Sequence, residues 1–155
     1  MNIFVLDKDP QIAAEMACDK HVVKMILETA QMLCTAARAR GAWAPYGATH
    51  KGHPCTKWAG ASLGNWKWLI EHGEALCGEY TKRYGKCHKS SSVIGYCKVL
   101  KLDFANDEQQ RTPFAQAMPD KYKDACVVTA YRNYYMGEKA SFATWKTKKP
   151  DWWRV

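Results

Sequence analysis

Ionisable and hydrogen-bonding residues recur at helical spacing in the first quarter of the sequence. His21, Lys24, Glu28, Gln31 and Thr35 follow one another in steps of three or four residues. On an α-helix with about 3.6 residues per turn, residues spaced in this way line up along one side. An ordinary solvated face would favour interchangeable Lys and Glu, so a histidine and a glutamine are less expected there. The spacing predicts a file of polar groups along one face of a helix.

These residue types could carry out amine and acid–base chemistry. Lys20 and Lys24 lie one turn apart, and two like charges at that spacing disfavour double protonation. A deprotonated lysine is a nucleophile that forms Schiff bases with carbonyl carbons. Glu28 could act as a general acid or base, and His21 could transfer protons near neutral pH. The alternative is a solvated helix face on which Lys24 and Glu28 form an i,i+4 ion pair.

Apolar residues on another side of the same segment predict how this helix is positioned. Val22, Ile26 and Leu33 recur at the spacing of a helix face that packs against a core. We expect the helix to begin near Asp19 and to run to about Ala39, before the glycine at position 41. The polar file would then lie beside a well-anchored apolar face.

Other helix signals predict a mainly α fold with three main helices and irregular connections. Asp9-Pro10 has the composition of a helix start, with a capping side chain before a proline. A second long helix is predicted to follow His53-Pro54 and to end near Gly85, and a third is predicted from Asp120. Internal repeats and linker-like segments are absent, so we expect residues 1–155 to form a single helical domain.

The charge of the chain is strongly one-sided. With 23 Lys and Arg residues against 15 Asp and Glu residues, the formal net charge is +8. An excess of this kind suits a polyanionic partner, and nucleic acid is the commonest one. Seven Trp and eight Tyr residues among these cations offer surfaces on which bases can stack.

The cysteines and the remaining motifs restrict the possible chemistry. The seven cysteines include no Cys-x-x-Cys pair and the chain shows no secretory signal, which predicts free thiols in the cytoplasm. The sequence contains no apolar run of about 18 residues, so it predicts no membrane span. His50, His53 and Cys55 lie close in sequence but match no familiar zinc pattern, so we expect neither a metal nor another cofactor. GxSxG, P-loop and GxGxxG motifs are absent, which disfavours the common hydrolases, nucleotide triphosphatases and dinucleotide-binding enzymes.

A tyrosine-rich basic segment near the C-terminus could contact nucleic acid. Tyr131 and Tyr135 would share one helix face, and we expect them to face the core. Tyr134 would point elsewhere and offer a stacking surface, while Arg132 and Lys139 would offer phosphate contacts.

Three segments of the chain resemble the pyrimidine-dimer DNA glycosylase family, of the phage endonuclease V type. They are Asp19-Lys20-His21-Val22-Val23-Lys24, His53-Pro54 with the following helix to Tyr84, and Ala130-Tyr131-Arg132-Asn133-Tyr134-Tyr135-Met136-Gly137-Glu138-Lys139. Together they cover roughly half of the chain. The chain is also similar to phage proteins that share Cys-Asp-Lys-His-Val-Val-Lys-Met, and no activity comes with that similarity.

The family resemblance implies a helical protein that bends DNA, flips a nucleotide and attacks the sugar C1′ with an amine. The Schiff base that results would allow strand cleavage by β-elimination, assisted by a carboxylate. The family's nucleophile is an N-terminal amine that is exposed when the initiator Met is removed before a small residue, whereas Asn2 follows Met1 here. The family's catalytic glutamate would fall near His21, which leaves Glu28 as the nearest carboxylate further along the helix.

The leading hypothesis is a DNA glycosylase and abasic-site lyase that acts on damaged or modified bases in double-stranded DNA. Lys24 or Lys20 would supply the amine and Glu28 the acid or base, with the retained Met1 amine as a competitor. One alternative is a nucleotide-binding or nucleotide-processing phage enzyme that uses the same His/Lys/Glu cleft. Another is a non-catalytic phage protein that binds DNA or a host protein. The further residues expected at the site are His21, His53, Lys57, Arg132, Tyr134 and Lys139.

Overall fold

The computed structural model describes all 155 residues and contains six α-helices and no β-strand. A mainly α fold is therefore confirmed. None of the helices combines the length and the apolarity that a bilayer crossing requires. The helices are α1 (Pro10–Met16), α2 (Asp19–Ala39), α3 (Pro54–Ala59), α4 (Leu63–Tyr84), α5 (Ser91–Val99) and α6 (Val127–Glu138), with a 3₁₀ turn at Asp120–Tyr122.

Helices α2 and α4 form the centre of the fold. They pack against each other, α1 packs on α4, α3 packs on α2, and α5 packs on both long helices. Ile26 and Leu33 of α2 and Leu69 and Leu76 of α4 are almost fully buried at this centre. Burying a side chain of this size contributes about 1.5–3 kcal/mol. The apolar face predicted for α2 therefore packs into the core and fixes the orientation of its polar side.

The helix predicted after His53-Pro54 is broken into α3 and α4. α3 ends at Gly60, and α4 starts after Ser62, whose Oγ accepts a hydrogen bond from the main-chain N–H of Asn65 at 3.1 Å. The buried Asn65 side chain donates to the Trp58 carbonyl at 2.8 Å and so bridges the break. Serine at this position satisfies one of the free N–H groups of a helix start, which explains the restart.

Two glycines of α4 are explained by close approach of neighbouring segments. A Cβ added at Gly64 would lie 2.8 Å from the Cα of Arg111, and main chain cannot give way as a flexible side chain can. A Cβ at Gly73 would lie 3.0 Å from side-chain atoms of Ile94 and Thr29. Glycine at these two positions allows the close approach, and Gly60 lies at the break between α3 and α4.

The third predicted helix begins later than expected. Only a 3₁₀ turn forms at Asp120, and α6 starts at Val127. Between them, the Gln116 side chain accepts from the N–H of Asp124 at 3.1 Å and donates to its carbonyl at 2.7 Å. These bonds occupy the main-chain groups that a continuous helix would need. Within α6, Tyr131 and Tyr135 are fully buried, as their shared helix face predicted.

A buried ionic cluster joins the start of α2 to the end of α4. The side chain of Arg83 is fully buried, and its guanidinium lies 3.1 Å from Asp19 and 2.9 Å from Glu79. Asp19 also accepts a hydrogen bond from the N–H of Lys146 at 3.0 Å, which ties the C-terminal segment to the same cluster. Since all three charged groups are paired, the desolvation of each is offset by its neighbours.

Candidate active site

The most distinctive contact along the polar file of α2 is made by Glu28. Its Oε1 lies 3.4 Å from the main-chain amine of Met1, and the two side chains are 15% and 3% exposed. The Met1 residue as a whole is half-buried, so its exposed part is the main chain that carries the amine. Lys24 forms no ion pair with Glu28, although the two residues are spaced for one. The carboxylate is therefore held next to an amine that can be reached from solvent.

The N-terminal segment fixes the position of this amine. The buried Asn2 side chain accepts from the N–H groups of Ile3 and Phe4 at 2.8 and 3.1 Å and donates to the Ala117 carbonyl at 2.8 Å. Residues 3–6 are buried in the core, and Phe4 has a positive φ of 38°. This apolar run forms no strand and anchors the N-terminal segment in the core. Anchoring on both sides of Asn2 keeps the Met1 amine beside α2.

His53 lies near the same two charges. Its Nδ1 accepts a hydrogen bond from the N–H of Cys55 at 3.0 Å, which places the ring at the start of α3. The pKa of His53 is lowered, mainly by burial and further by the positive charges of the Met1 amine and His50, while Glu28 opposes the shift. Met1, Glu28 and His53 are thus brought together from three separate segments. Lys57, one turn into α3, is exposed.

His21 is buried rather than open to solvent. Its ring stacks on Phe4 at a centroid distance of 4.4 Å, and its Nδ1 lies 2.6 Å from the hydroxyl of Tyr135. Burial, together with the charges of Lys139, Lys24 and Lys20, lowers the pKa of His21 to about 3. The ring is therefore uncharged at neutral pH.

Three lysines lie near the stack of His21, Phe4 and Tyr134. Lys139 extends over the ring of Tyr134, with its Nζ 4.8 Å from the ring centroid, and Tyr134 stacks on Phe4. Lys20 and Lys24 are exposed on the first turns of α2. We call Lys20, Lys24, Lys139 and Tyr134 the lysine–tyrosine face. Exposed cations beside an aromatic ring can bind phosphates and stack on a base.

Arg132 lies apart from this face and contacts the N-terminal segment. Its Nε donates to the Leu6 carbonyl at 2.9 Å, and its Nη2 lies 3.6 Å from Asp7. Its guanidinium also lies 5.3 Å from the Trp152 ring. These contacts hold the guanidinium against the N-terminal segment, so Arg132 supports the anchored N-terminus.

His50 and Cys55, which lie close to His53 in sequence, add no further group to the site. His50 has a positive φ of 50°, and its Nδ1 lies 3.3 Å from the Thr49 hydroxyl. Cys55 is fully buried, and burial raises the pKa of its thiol to about 11. All seven cysteines are free thiols, and no group of three or more His, Cys, Asp or Glu side chains is arranged to hold a metal ion.

The pairing of Glu28 with the Met1 amine was not predicted from the sequence. The predicted amines were Lys20 and Lys24, with Met1 only as a competitor. The buried apolar run after Asn2 was a signal that the N-terminus is fixed, but it did not indicate which part of the core the terminus approaches.

We predict that thermal stability falls as the pH is lowered from about 6.5 to about 5. Burial lowers the pKa of His21 to about 3 and that of His72 to about 4, against about 6.5 for histidine in an unfolded chain. The unfolded chain therefore binds these protons first, so their contribution is complete above about pH 6.5 and is lost below it. Thermal unfolding followed by circular dichroism across this range measures the effect.

The variant His72→Phe provides the control for this pH dependence. Phenylalanine preserves the aromatic stacking of His72 on Trp68, which has a centroid distance of 5.0 Å, and removes the titrating group. The variant should show a shallower decline of melting temperature with falling pH, whatever its stability at pH 7. An unchanged decline would contradict the role assigned to His72.

Comparison with known families gives a match. A family model described as pyrimidine dimer DNA glycosylase matches residues 1–91, a range that includes Met1, Glu28 and His53. Comparisons with curated proteins and with solved structures gave no match.

Proposed function

The chain belongs to the pyrimidine dimer DNA glycosylase family, and on that premise we propose that it is a DNA glycosylase with abasic-site lyase activity. Its substrate would be a damaged or modified base in double-stranded DNA. The family description makes pyrimidine dimers the first lesions to assay. The observation that carries the proposal is the contact of 3.4 Å between the Met1 amine and Glu28.

In the proposed reaction the Met1 amine attacks C1′ of a flipped nucleotide. The glycosidic bond breaks with its electrons on the departing base, and opening of the sugar gives a Schiff base between C1′ and the amine nitrogen. Loss of a C2′ proton then eliminates the 3′ phosphate and cleaves the strand. Glu28 would accept the proton that the ammonium must lose before attack, and a carboxylate so placed can also assist the later proton transfers.

An α-amine suits this role better than a lysine side chain at neutral pH. The ordinary pKa of α-amines is about 8, against about 10.4 for lysine side chains, so more of an α-amine is in the nucleophilic free-base form. Lys24 remains the alternative amine, because it lies one turn before Glu28 on α2. The contact with the carboxylate favours Met1.

The charge distribution supports a duplex as the partner. The lysine–tyrosine face lies beside Phe4, three residues from Met1, and the whole chain carries a formal net charge of +8. In this proposal Lys20, Lys24 and Lys139 bind backbone phosphates, Tyr134 stacks on a base, and His53 borders the bound nucleotide. A cytoplasmic location would suit this activity.

Borohydride trapping on a duplex with one abasic site tests both the activity and the amine. We expect the unmodified protein, with its Met1 terminus verified by mass spectrometry, to form a covalent adduct that maps to the first peptide. Acetylation of the α-amine should abolish the adduct. The variant Lys20→Arg/Lys24→Arg keeps both positive charges but removes both side-chain amines, so its trapping should be unaffected.

The possible outcomes separate the parts of the proposal. An adduct that maps to Lys24 and is lost in the double arginine variant would overturn the assignment to Met1 and leave the lyase activity. The absence of any adduct with the unmodified protein would overturn the lyase activity itself. A non-catalytic DNA-binding protein would then be the better description if the binding to duplex DNA depends on salt.

A further inference from the structure

A second cationic site lies at the far end of α2. A cavity of about 320 Å³ lies between the last turns of α2, the loop before α3, and α3 itself. Its volume is at the lower end of the range for small-ligand pockets. Four of the residues that line it are cations, Arg38, Arg40, Lys51 and Lys57, and none is acidic.

The four cations differ in how much of their charge is free. Arg40 forms an ion pair with Glu108 at 2.9 Å and donates to the Gly60 carbonyl. Arg38 donates to main-chain carbonyls, including that of Tyr46 at 2.8 Å, and none of these carbonyls neutralises its charge. Lys51 and Lys57 are exposed and have no acidic partner. Three positive charges are therefore left to attract an anion.

A polar group of the cavity wall also lacks a partner. Thr56 is 4% exposed, and its hydroxyl is the only buried side-chain nitrogen or oxygen in the protein without a hydrogen bond. Burying a hydroxyl without a partner is destabilising, and such exceptions are rare in native proteins. Rotation about its Cα–Cβ bond exchanges the positions of hydroxyl and methyl, which allows Thr56 to donate to a ligand that accepts hydrogen bonds.

The distance between the cavity and the candidate active site can be estimated along α2. Thr35 lines the cavity and lies seven residues after Glu28 on α2, a distance of about 10 Å along the helix axis. Each strand of a DNA duplex carries one phosphate per 3.4 Å of axis. For a duplex whose axis runs along α2, a phosphate in the cavity would therefore lie about three nucleotides from the nucleotide at Glu28.

We propose that this cavity binds a phosphate group of the DNA strand, about three nucleotides from the reacting nucleotide. The proposal rests on the proposed function, because it takes the nucleotide at Glu28 as its reference point. Lys51 and Lys57 neutralise the phosphate, Arg38 adds to the positive potential, and Thr56 donates a hydrogen bond to a phosphate oxygen. The site sets the register of the duplex on the protein.

The test compares the salt dependence of duplex binding in matched variants. Each neutralised phosphate contributes about 0.9 to the slope of log K against log salt concentration, so Lys51→Gln/Lys57→Gln should reduce the slope by about 0.9. Lys82→Gln is the control for the loss of charge. Lys82 is exposed and lies next to Arg83, at the Asp19 end of α2 and roughly 28 Å from the cavity end, so its slope should be unchanged.

A scan of neutral methylphosphonates locates the phosphate itself. When one phosphate at a time is replaced, the unmodified protein should lose affinity at a position about three nucleotides from the lesion, and the double variant should not. Thr56→Val should lower the affinity for DNA while leaving the free protein as stable as before or more stable, because it removes the unpaired hydroxyl. A purely structural role for Thr56 would not give this combination.

The results that would overturn the proposal are distinct from those that would overturn the proposed function. If the Lys51→Gln/Lys57→Gln variant has the same salt slope as the unmodified protein, and borohydride trapping is intact, the phosphate site is overturned and the proposed function is not. Calorimetry would test whether inorganic phosphate or a deoxynucleoside monophosphate binds the unmodified protein but not the double variant. If it does, and the methylphosphonate scans of the two proteins are identical, the assignment of the cavity to DNA is overturned. Absence of duplex binding by the unmodified protein would overturn the proposed function and this site with it.

Discussion

The variant Glu28→Gln is expected to cleave abasic duplex DNA about 10²- to 10⁴-fold more slowly than the unmodified protein, the range typical of general acid–base catalysis. Glutamine has nearly the same shape as glutamate but can neither accept the proton of the Met1 ammonium nor carry a negative charge. Single-turnover cleavage with protein in excess measures this effect apart from product release.

Binding and stability should change little in the same variant. The contact with the Met1 amine is partly exposed, and ion pairs of this kind contribute about 0–1 kcal/mol. Glu71→Gln, which removes an exposed carboxylate of α4, is the matched control and should cleave at the unmodified rate. A loss of less than about tenfold in Glu28→Gln, with duplex affinity intact, would remove Glu28 from the proposed chemistry.

The variant Arg83→Met is expected to lower the free energy of unfolding by about 3–5 kcal/mol. It leaves the carboxylates of Asp19 and Glu79 buried without their cation, and it removes the hydrogen bonds that Arg83 donates to the carbonyls of Ala17 and Glu15 at 2.7 and 3.0 Å. In a chain of this length each kcal/mol shifts the melting temperature by about 2–4 °C. Thermal and urea unfolding would measure the loss.

An exposed ion pair provides the contrast. Lys98 and Glu74 lie 2.9 Å apart, slightly closer than Arg83 and Asp19, but their side chains are about half exposed. Lys98→Met should therefore cost less than about 1 kcal/mol. Arg83→Lys tests the same site more mildly, since it keeps the charge but cannot contact both carboxylates with a planar fork. Equal losses in Arg83→Met and Lys98→Met would contradict the importance given to the buried cluster.

Most helix boundaries could be predicted from local sequence. Asp9-Pro10 marks the start of α1, where the Asp9 side chain accepts from the N–H groups of Gln11 and Ile12. The end of α2 at Ala39 was predicted from the glycine at position 41. Gly85, which has a φ of 69°, ends α4. These boundaries depend on capping side chains and on conformations that glycine favours, which are properties of a few neighbouring residues.

The boundaries that were predicted incorrectly depend on side chains that bind the main chain seven or eight residues away. The start of α6 is delayed because Gln116 binds the main chain of Asp124, and the break before α4 is bridged by the Asn65 side chain to Trp58. Such hydrogen bonds outweigh helix propensity, which differs by less than about 1 kcal/mol per residue among most residue types. Helix periodicity alone does not indicate that these side chains will bind the main chain.

The sequence by itself determined the helical class, the polar file of α2, the positive charge and the family resemblance, because each depends on composition or on spacing within one segment. Only the tertiary structure decided that Glu28 pairs with Met1 rather than with Lys24. A solvated i,i+4 pair contributes only about 0.2–0.5 kcal/mol, so spacing alone does not fix it. The anchoring of residues 3–6 in the core, by contrast, brings the N-terminal amine to a carboxylate that is remote from it in sequence. Packing between two segments cannot be deduced from the sequence of either segment alone.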